Sequence, residues 1–143
     1  MKIKLSQIPP DGSKIIEENL SSGSLDLDTS IVKYKGPLKA RAMVSRITNV
    51  VSVDLEVIAT EILTCGRCLK EFEKEITKEV NFSYPVESSD QYIDLSQDIR
   101  EEIILDYPYV PLCDPECKGL CPKCGKNINE GGCSCATTKK KTF

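Results

Sequence analysis

A chain of 143 residues, 40% hydrophobic and 29% charged, is long enough to bury one modest core and has the composition of an ordinary globular protein rather than a disordered one. It contains no histidine, which excludes Ser-His-Asp and Cys-His nucleophile systems, imidazole bases and histidine-bearing metal triads. The net charge of -3 is uneven, because acids dominate residues 1–110 while six lysines outnumber Asp114, Glu116 and Glu130 in residues 111–143.

In chain order, Ile3 and Leu5 alternate with Lys2 and Lys4, as in a half-exposed first strand over residues 1–8. Pro9-Pro10-Asp11-Gly12 is a turn. Residues 13–20 fit either a short helix or an irregular strand. From residue 25 to 84 the pattern is mainly β. Leu38, Ala40, Ala42 and Val44 face one way and Lys39, Arg41, Met43 and Ser45 the other, a period of two. Across a turn at Thr48-Asn49, Val51, Val53, Leu55, Val57, Ala59 and Leu63 continue it, so residues 38–46 and 50–63 should form a hairpin. Cys65-Gly-Arg-Cys68 then marks a strand-to-strand corner, followed by Phe72, Ile76, Val80, Phe82 and Tyr84 at even spacing. Ser96 is a candidate N-cap, and Ile99, Ile103 and Ile104 form the apolar stripe of a helix over about 97–106. Tyr107-Pro-Tyr-Val-Pro111 is a stiff extended linker.

The last third concentrates the chemistry. Cys113, Cys117, Cys121, Cys124, Cys133 and Cys135 fall within 23 residues, and Cys65 and Cys68 form a separate pair upstream. The first residues lack the apolar core of a signal peptide, and no run approaches the ~18 apolar residues of a membrane helix. A cytoplasmic location follows as the expectation, and there eight thiols suit metal ligation better than structural disulfides. Cys-Pro-Lys-Cys-Gly at 121–125 has the form of a zinc knuckle, in which two intervening residues bring both sulfurs to one metal and the glycine lets the loop amides turn toward the thiolates. Cys113 and Cys117 are the preferred partners of Cys121 and Cys124, closely followed by Cys133 and Cys135. Cys65 and Cys68 are a less certain metal pair, and the spacing leaves open whether there are one or two sites. The cysteine order fits neither ferredoxin run. A thiol redox protein or sensor using Cys65/Cys68 is the alternative, although Glu71, Glu73 and Glu75 nearby oppose thiolate formation.

Lys33, Lys35, Lys39, Arg41 and Arg46 form an acid-free basic island that includes Tyr34. Such a row suits phosphate contacts with an aromatic available for stacking. The competing reading is a strand edge protected by lysines. Arg67, inside the first CxxC, joins these as a candidate RNA contact.

The order of these pieces resembles the YceD-like family of large ribosomal RNA subunit accumulation proteins. The resemblance is carried by Thr64-Cys-Gly-Arg-Cys-Leu-x2-Phe72, Ile93-Asp-Leu with an acidic helix, and Pro111-Leu-Cys-x3-Cys-Lys-Gly-Leu-Cys-Pro-x-Cys-Gly-x-Asn127 with a final Cys-x-Cys. It implies a bacterial, non-enzymatic factor supporting accumulation or processing of large-subunit (23S) ribosomal RNA. The partners expected are that RNA, ribosomal proteins or assembly factors, with no membrane and no small-molecule substrate.

The fold expected is α+β. An antiparallel, partly barrel-like sheet with one main helix occupies residues 1–110, a Cys-rich zinc module residues 111–136, and a disordered basic tail residues 137–143.

Overall fold

The computed structural model of the chain describes residues 1–133 and residue 135; the expected tail at 137–143 lies outside them. Two compact units emerge. The first combines Met1–Ile62 with Glu73–Tyr107, and the second combines Leu63–Phe72 with the chain from Pro108 onward. The first unit ends at Tyr107, and the segment carrying the first CxxC groups with the distant cysteines.

The first unit is built on a five-stranded antiparallel sheet whose strands are β2 (Ser13–Leu20), β3 (Val32–Tyr34), β4 (Leu38–Ile47), β5 (Val50–Thr64) and β6 (Glu71–Pro85). A smaller ladder pairs β1 (Lys2–Lys4) with β7 (Tyr92–Asp94), setting Ile3 opposite Ile93. The chain over 13–20, which admits helix or strand from sequence, is strand β2, paired along its length with β4 from Ser13↔Ser45 to Leu20↔Leu38. Its pattern is weak because an edge strand buries little; of its eight residues only Leu20 is fully buried. The first strand is shorter than expected, since Leu5–Gln7 turns into a 3-10 segment.

The β4–β5 hairpin follows the alternation in the sequence. Leu38, Ala40, Ala42 and Val44 are buried from β4, and Val51, Val53, Leu55, Val57, Ala59 and Leu63 from β5. Thr48 takes a left-handed φ of 54° in the connecting turn. The inward row of β5 also contains Glu61, only 4% exposed, whose carboxylate accepts a 3.3 Å hydrogen bond from the Tyr34 hydroxyl. Burial is the chief cause of the raised pKa of Glu61, which the Tyr34 hydrogen bond and Lys74 partly offset.

The expectation of a partly barrel-like sheet is corrected. Barrel closure needs a ladder joining the outermost strands. Here β5 pairs with β4, β3 and β6, and β2 pairs only with β4 among the described residues, so the sheet stays open.

Helix α1 (Ser96–Leu105) buries Ile99 and Ile103, with Ile104 packed against the same core. Each such side chain contributes roughly 1.5–3 kcal/mol of burial. Ser96 is not the N-cap. Leu95 occupies that position without a side-chain cap, and the Ser96 N–H instead donates to Asp94 Oδ1 at 3.0 Å. Tyr84 donates from its hydroxyl to Asp98 in the first turn of α1. Among the described residues, no helix is long and apolar enough to cross a membrane.

Candidate metal centre

The second unit gathers all eight cysteines into two sets of four. One consists of Cys65, Cys68, Cys113 and Cys117, the other of Cys121, Cys124, Cys133 and Cys135, and within each set the sulfurs lie within 4.8 Å of one another. Cys113 and Cys117, preferred from sequence as partners of Cys121 and Cys124, instead join Cys65 and Cys68. Cys133 and Cys135 complete the second set. Spacing along the chain could not reveal this, because the hairpin formed by β5 and β6 brings its tip to residues some 45 positions later.

The geometry suits a tetrahedral thiolate site. Metal–sulfur bonds of about 2.3 Å at tetrahedral angles hold sulfurs about 3.8 Å apart. Cys65 and Cys117 sulfurs are 3.7 Å apart, and those of Cys68 and Cys113 are 3.6 Å apart. A disulfide would draw them to about 2 Å, and all eight cysteines are free.

The two CxxC loops are built alike. The N–H of Cys65 donates to the carbonyl of Lys70 and that of Leu69 to the carbonyl of Cys65; correspondingly, Cys121 donates to Lys126 and Gly125 to Cys121. The fourth residue after the leading cysteine must take a positive φ for this closure. Gly125 does so at 74°, as the sequence motif predicts, and Leu69 does so at 60° without the freedom of a glycine. Gly66 and Gly119 serve close approaches in the same unit. A Cβ on Gly66 would stand 2.6 Å from a Val110 methyl, and one on Gly119 3.2 Å from the Arg67 carbonyl.

These loops aim backbone amides at the first sulfur of each pair. Burial of Cys65 opposes its ionisation, but N–H groups of Cys68, Cys113 and Arg67 outweigh it and bring the thiol down to about 6. The amides of Cys124 and Lys123 lower Cys121 to about 6 as well. In the absence of a cation, crowding has the opposite effect on their partners: burial and neighbouring thiols push Cys113 up to about 12, and Cys124 raises Cys135 to about 11. A divalent cation resolves the conflict, since it lets all four thiols ionise together. For the redox alternative, Cys65 is fully buried and Cys68 5% exposed, so neither sulfur is open to a protein-sized disulfide substrate.

Asn129 is the site residue that sequence reasoning missed. Its side-chain amide donates to Cys117 Sγ at 3.2 Å and its carbonyl accepts from the Lys118 N–H at 2.8 Å, while its own N–H is held by Asn127 Oδ1 at 3.0 Å. An N–H donor on a thiolate stabilises its charge and fixes its direction. The only trace in the sequence is an Asn-x-Asn two residues beyond the knuckle.

The candidate RNA residues do not form one basic face. On the exposed face of the sheet Arg41 lies between Glu17 on β2 and Glu56 on β5, and it pairs with Glu17 at 3.6 Å. Lys39 stands between Asn19 and Ile58, and Lys35 pairs with Glu73 at 2.8 Å. Tyr34 is not a free stacking surface, because its ring is packed against the core and its hydroxyl meets Glu61 and the Tyr107 hydroxyl. Arg67 donates to the carbonyl of Cys117 at 2.9 Å, which makes it a brace between segments of the second unit. Lys33, Lys39 and Arg46 form no ion pair among the described residues.

Residues 83–143 match the profile of the family described as large ribosomal RNA subunit accumulation protein YceD. That stretch holds the entire second cysteine set together with Cys113 and Cys117. Among curated proteins, the chain is similar to an uncharacterized protein of Mycobacterium leprae, 25% identical over 76% of this chain and 57% of the relative. It is 42% identical over 34% of its length to the large ribosomal RNA subunit accumulation protein YCED homolog 1, chloroplastic, of Arabidopsis thaliana, of which it covers 15%. The corresponding maize protein is 35% identical over 48% of this chain and 23% of the relative. The chain thus spans between about a seventh and somewhat over half of the length of these relatives. No solved structure matches it. The profile match over residues 83–143, together with the two chloroplast homologues, supports a YceD-like family assignment.

Proposed function

We propose that this chain is a non-enzymatic factor that supports the accumulation of large-subunit (23S) ribosomal RNA by binding that RNA or an assembly partner, with zinc as the ion on its cysteines. The observation that carries the reading is the coincidence of the family match with the thiolate-rich unit. The chemistry of the chain supports the non-enzymatic part. It has no histidine, and its thiols are gathered into two tetrads with metal-ligand separations. Zinc is favoured among divalent ions because all-thiolate, four-coordinate sites suit it and because the CxxC loops direct amides at the sulfurs. The role of the metal in this reading is to order a short, core-poor segment, and Lys33, Lys39 and Arg46 are the cations most available for phosphate.

Two measurements test the proposal. Depleting the protein in its host should lower mature large-subunit RNA relative to small-subunit RNA, and wild-type protein supplied in trans should restore the ratio. Purified, metal-loaded protein should retain large-subunit RNA on a filter with an affinity that falls steeply between 50 and 200 mM salt, as phosphate contacts require. An unchanged RNA ratio on depletion would remove the role; normal RNA dependence in cells without retention on the filter would move it to a protein partner.

A further inference from the structure

The two cysteine tetrads differ in the features that govern metal exchange. In the first, Cys65, Cys68 and Cys117 are 0%, 5% and 3% exposed, and Phe72, Leu112 and Leu120 pack against them. Arg67 and Asn129 donate N–H groups to its sulfurs, and Arg67 also clamps the Cys117 carbonyl. Its ligands come from segments 45 and 52 residues apart, so releasing one end means opening a long loop against those contacts. In the second, only Cys121 is buried; Cys124 is exposed, and Cys133 and Cys135 are half-buried. All four of its ligands lie within 15 residues of chain, and none belongs to a buried apolar cluster.

Zinc leaves a thiolate site when an incoming ligand reaches the metal and displaces one sulfur at a time. Access to a sulfur and freedom of its backbone therefore set the rate. The exposed Cys124 supplies an entry point in the second tetrad, whereas the most accessible sulfur of the first is the half-buried Cys113, which lines a pocket with Cys68.

We propose that the chain holds two zinc ions of unequal lability, an inner ion fixed by Cys65, Cys68, Cys113 and Cys117 and an outer, exchangeable ion on Cys121, Cys124, Cys133 and Cys135. The outer centre is a site from which a soft, thiol-rich or chelating acceptor takes zinc while the inner centre stays intact. Exchange involves no change of oxidation state, because thiolates release Zn²⁺ and either take up protons or pass the ion to the acceptor's own ligands. This deepens the zinc assignment made above and is independent of the RNA-related role.

The test uses the full-length protein as purified, with a colorimetric zinc chelator in excess and timed alkylation by N-ethylmaleimide read by mass spectrometry. Elemental analysis should give two zinc ions per chain. One equivalent should be released at least ten-fold faster than the other, and alkylation should label Cys121, Cys124, Cys133 and Cys135 before Cys65, Cys68, Cys113 and Cys117. Cys124→Ser should remove the fast equivalent and keep the slow one, and Cys133→Ser should do the same. The slow phase and its alkylation order can be read in wild-type protein, so the test does not depend on a Cys68→Ser variant that fails to fold. Release of both ions in one phase, or labelling of the inner set first, overturns unequal lability while leaving zinc binding in place. No zinc per chain, even after added zinc, overturns both; a single ion that added zinc does not raise to two overturns the two-centre proposal and leaves zinc binding in place. An unchanged RNA ratio on depletion with biphasic release intact would defeat the functional reading alone.

Discussion

At the scale of single residues, the two CxxC loops make a controlled comparison inside one molecule. They share a hydrogen-bond pattern and a left-handed fourth position, filled by Gly125 in one and by Leu69 in the other. A non-glycine residue in this conformation costs roughly 1–2 kcal/mol. Leu69 is also 64% exposed, so little packing offsets that cost. Leu69→Gly should stabilise the metal-loaded protein by about 0.5–1 kcal/mol after the greater flexibility of glycine in the unfolded chain is counted. Thermal melting of wild type and variant at equal zinc content checks it, and a lower Tm would contradict the strain argument.

Glu61 supports a second residue-scale prediction. Burial raises the pKa of Glu61, with Asp106 acting in the same direction and Tyr34 and Lys74 against it. A carboxyl that is harder to ionise when folded costs nothing at a pH where both states are protonated. The folded state then loses stability as pH rises from the ordinary carboxylate range through the raised value. Glu61→Gln keeps an acceptor for Tyr34 and removes that penalty. The variant should match wild type in acid and exceed it at neutral pH. Denaturant titrations across pH decide the matter, and a constant difference between the two proteins would show that Glu61 ionisation is not its source.

At the scale of elements, the sheet shows why a basic run is a poor guide to a basic surface. Lys39 and Arg41 share the outward face of β4 as the alternation requires, but their neighbours come from β2 and β5 and include Glu17 and Glu56. Arg41 and Glu17 have side chains 57% and 71% exposed. An ion pair that wet contributes between nothing and about 1 kcal/mol. Arg41→Gln should therefore change stability by less than about 0.5 kcal/mol and, with Glu17 and Glu56 offsetting its charge, weaken RNA retention less than Lys33→Gln does. A larger loss of retention for Arg41→Gln would restore this face as the contact. The hairpin of β4 and β5 was legible from period-two burial because both strands fill one core. Strand β2 was not, since an edge strand with a single fully buried residue carries almost no such signal.

At the scale of the whole molecule, metal loading changes the electrostatics inferred from composition. A zinc ion held by four thiolates carries a formal charge of about -2. Two centres loaded in the proposed way would oppose Arg67, Lys70, Lys118, Lys123 and Lys126 and make the cysteine-rich unit less basic than its lysines suggest. Ion binding should also be the main source of order in that unit, which has three buried cysteines at the centre of its apolar cluster instead of a large aliphatic core. Stripping the metal should abolish amide protection in 63–72 and 108–133 and leave the sheet residues of Met1–Ile62 and Glu73–Tyr107 protected. Hydrogen exchange with and without chelator reads this directly, and uniform loss across both units would show that they do not fold separately.

Sequence alone determined what could be read from neighbours along the chain. These are the strand alternation of 38–46 and 50–63, the amphipathic helix, the knuckle with its glycine, the exclusion of histidine chemistry and the family resemblance. Only the tertiary structure decided which cysteines share a centre, that Tyr34 is tied to a buried carboxylate, and that Arg67 braces a carbonyl. Periodicity and loop chemistry act over a few residues and leave a trace in composition and spacing. Grouping four sulfurs depends on a hairpin tip returning to a segment some 45 residues later, and no local pattern encodes that distance.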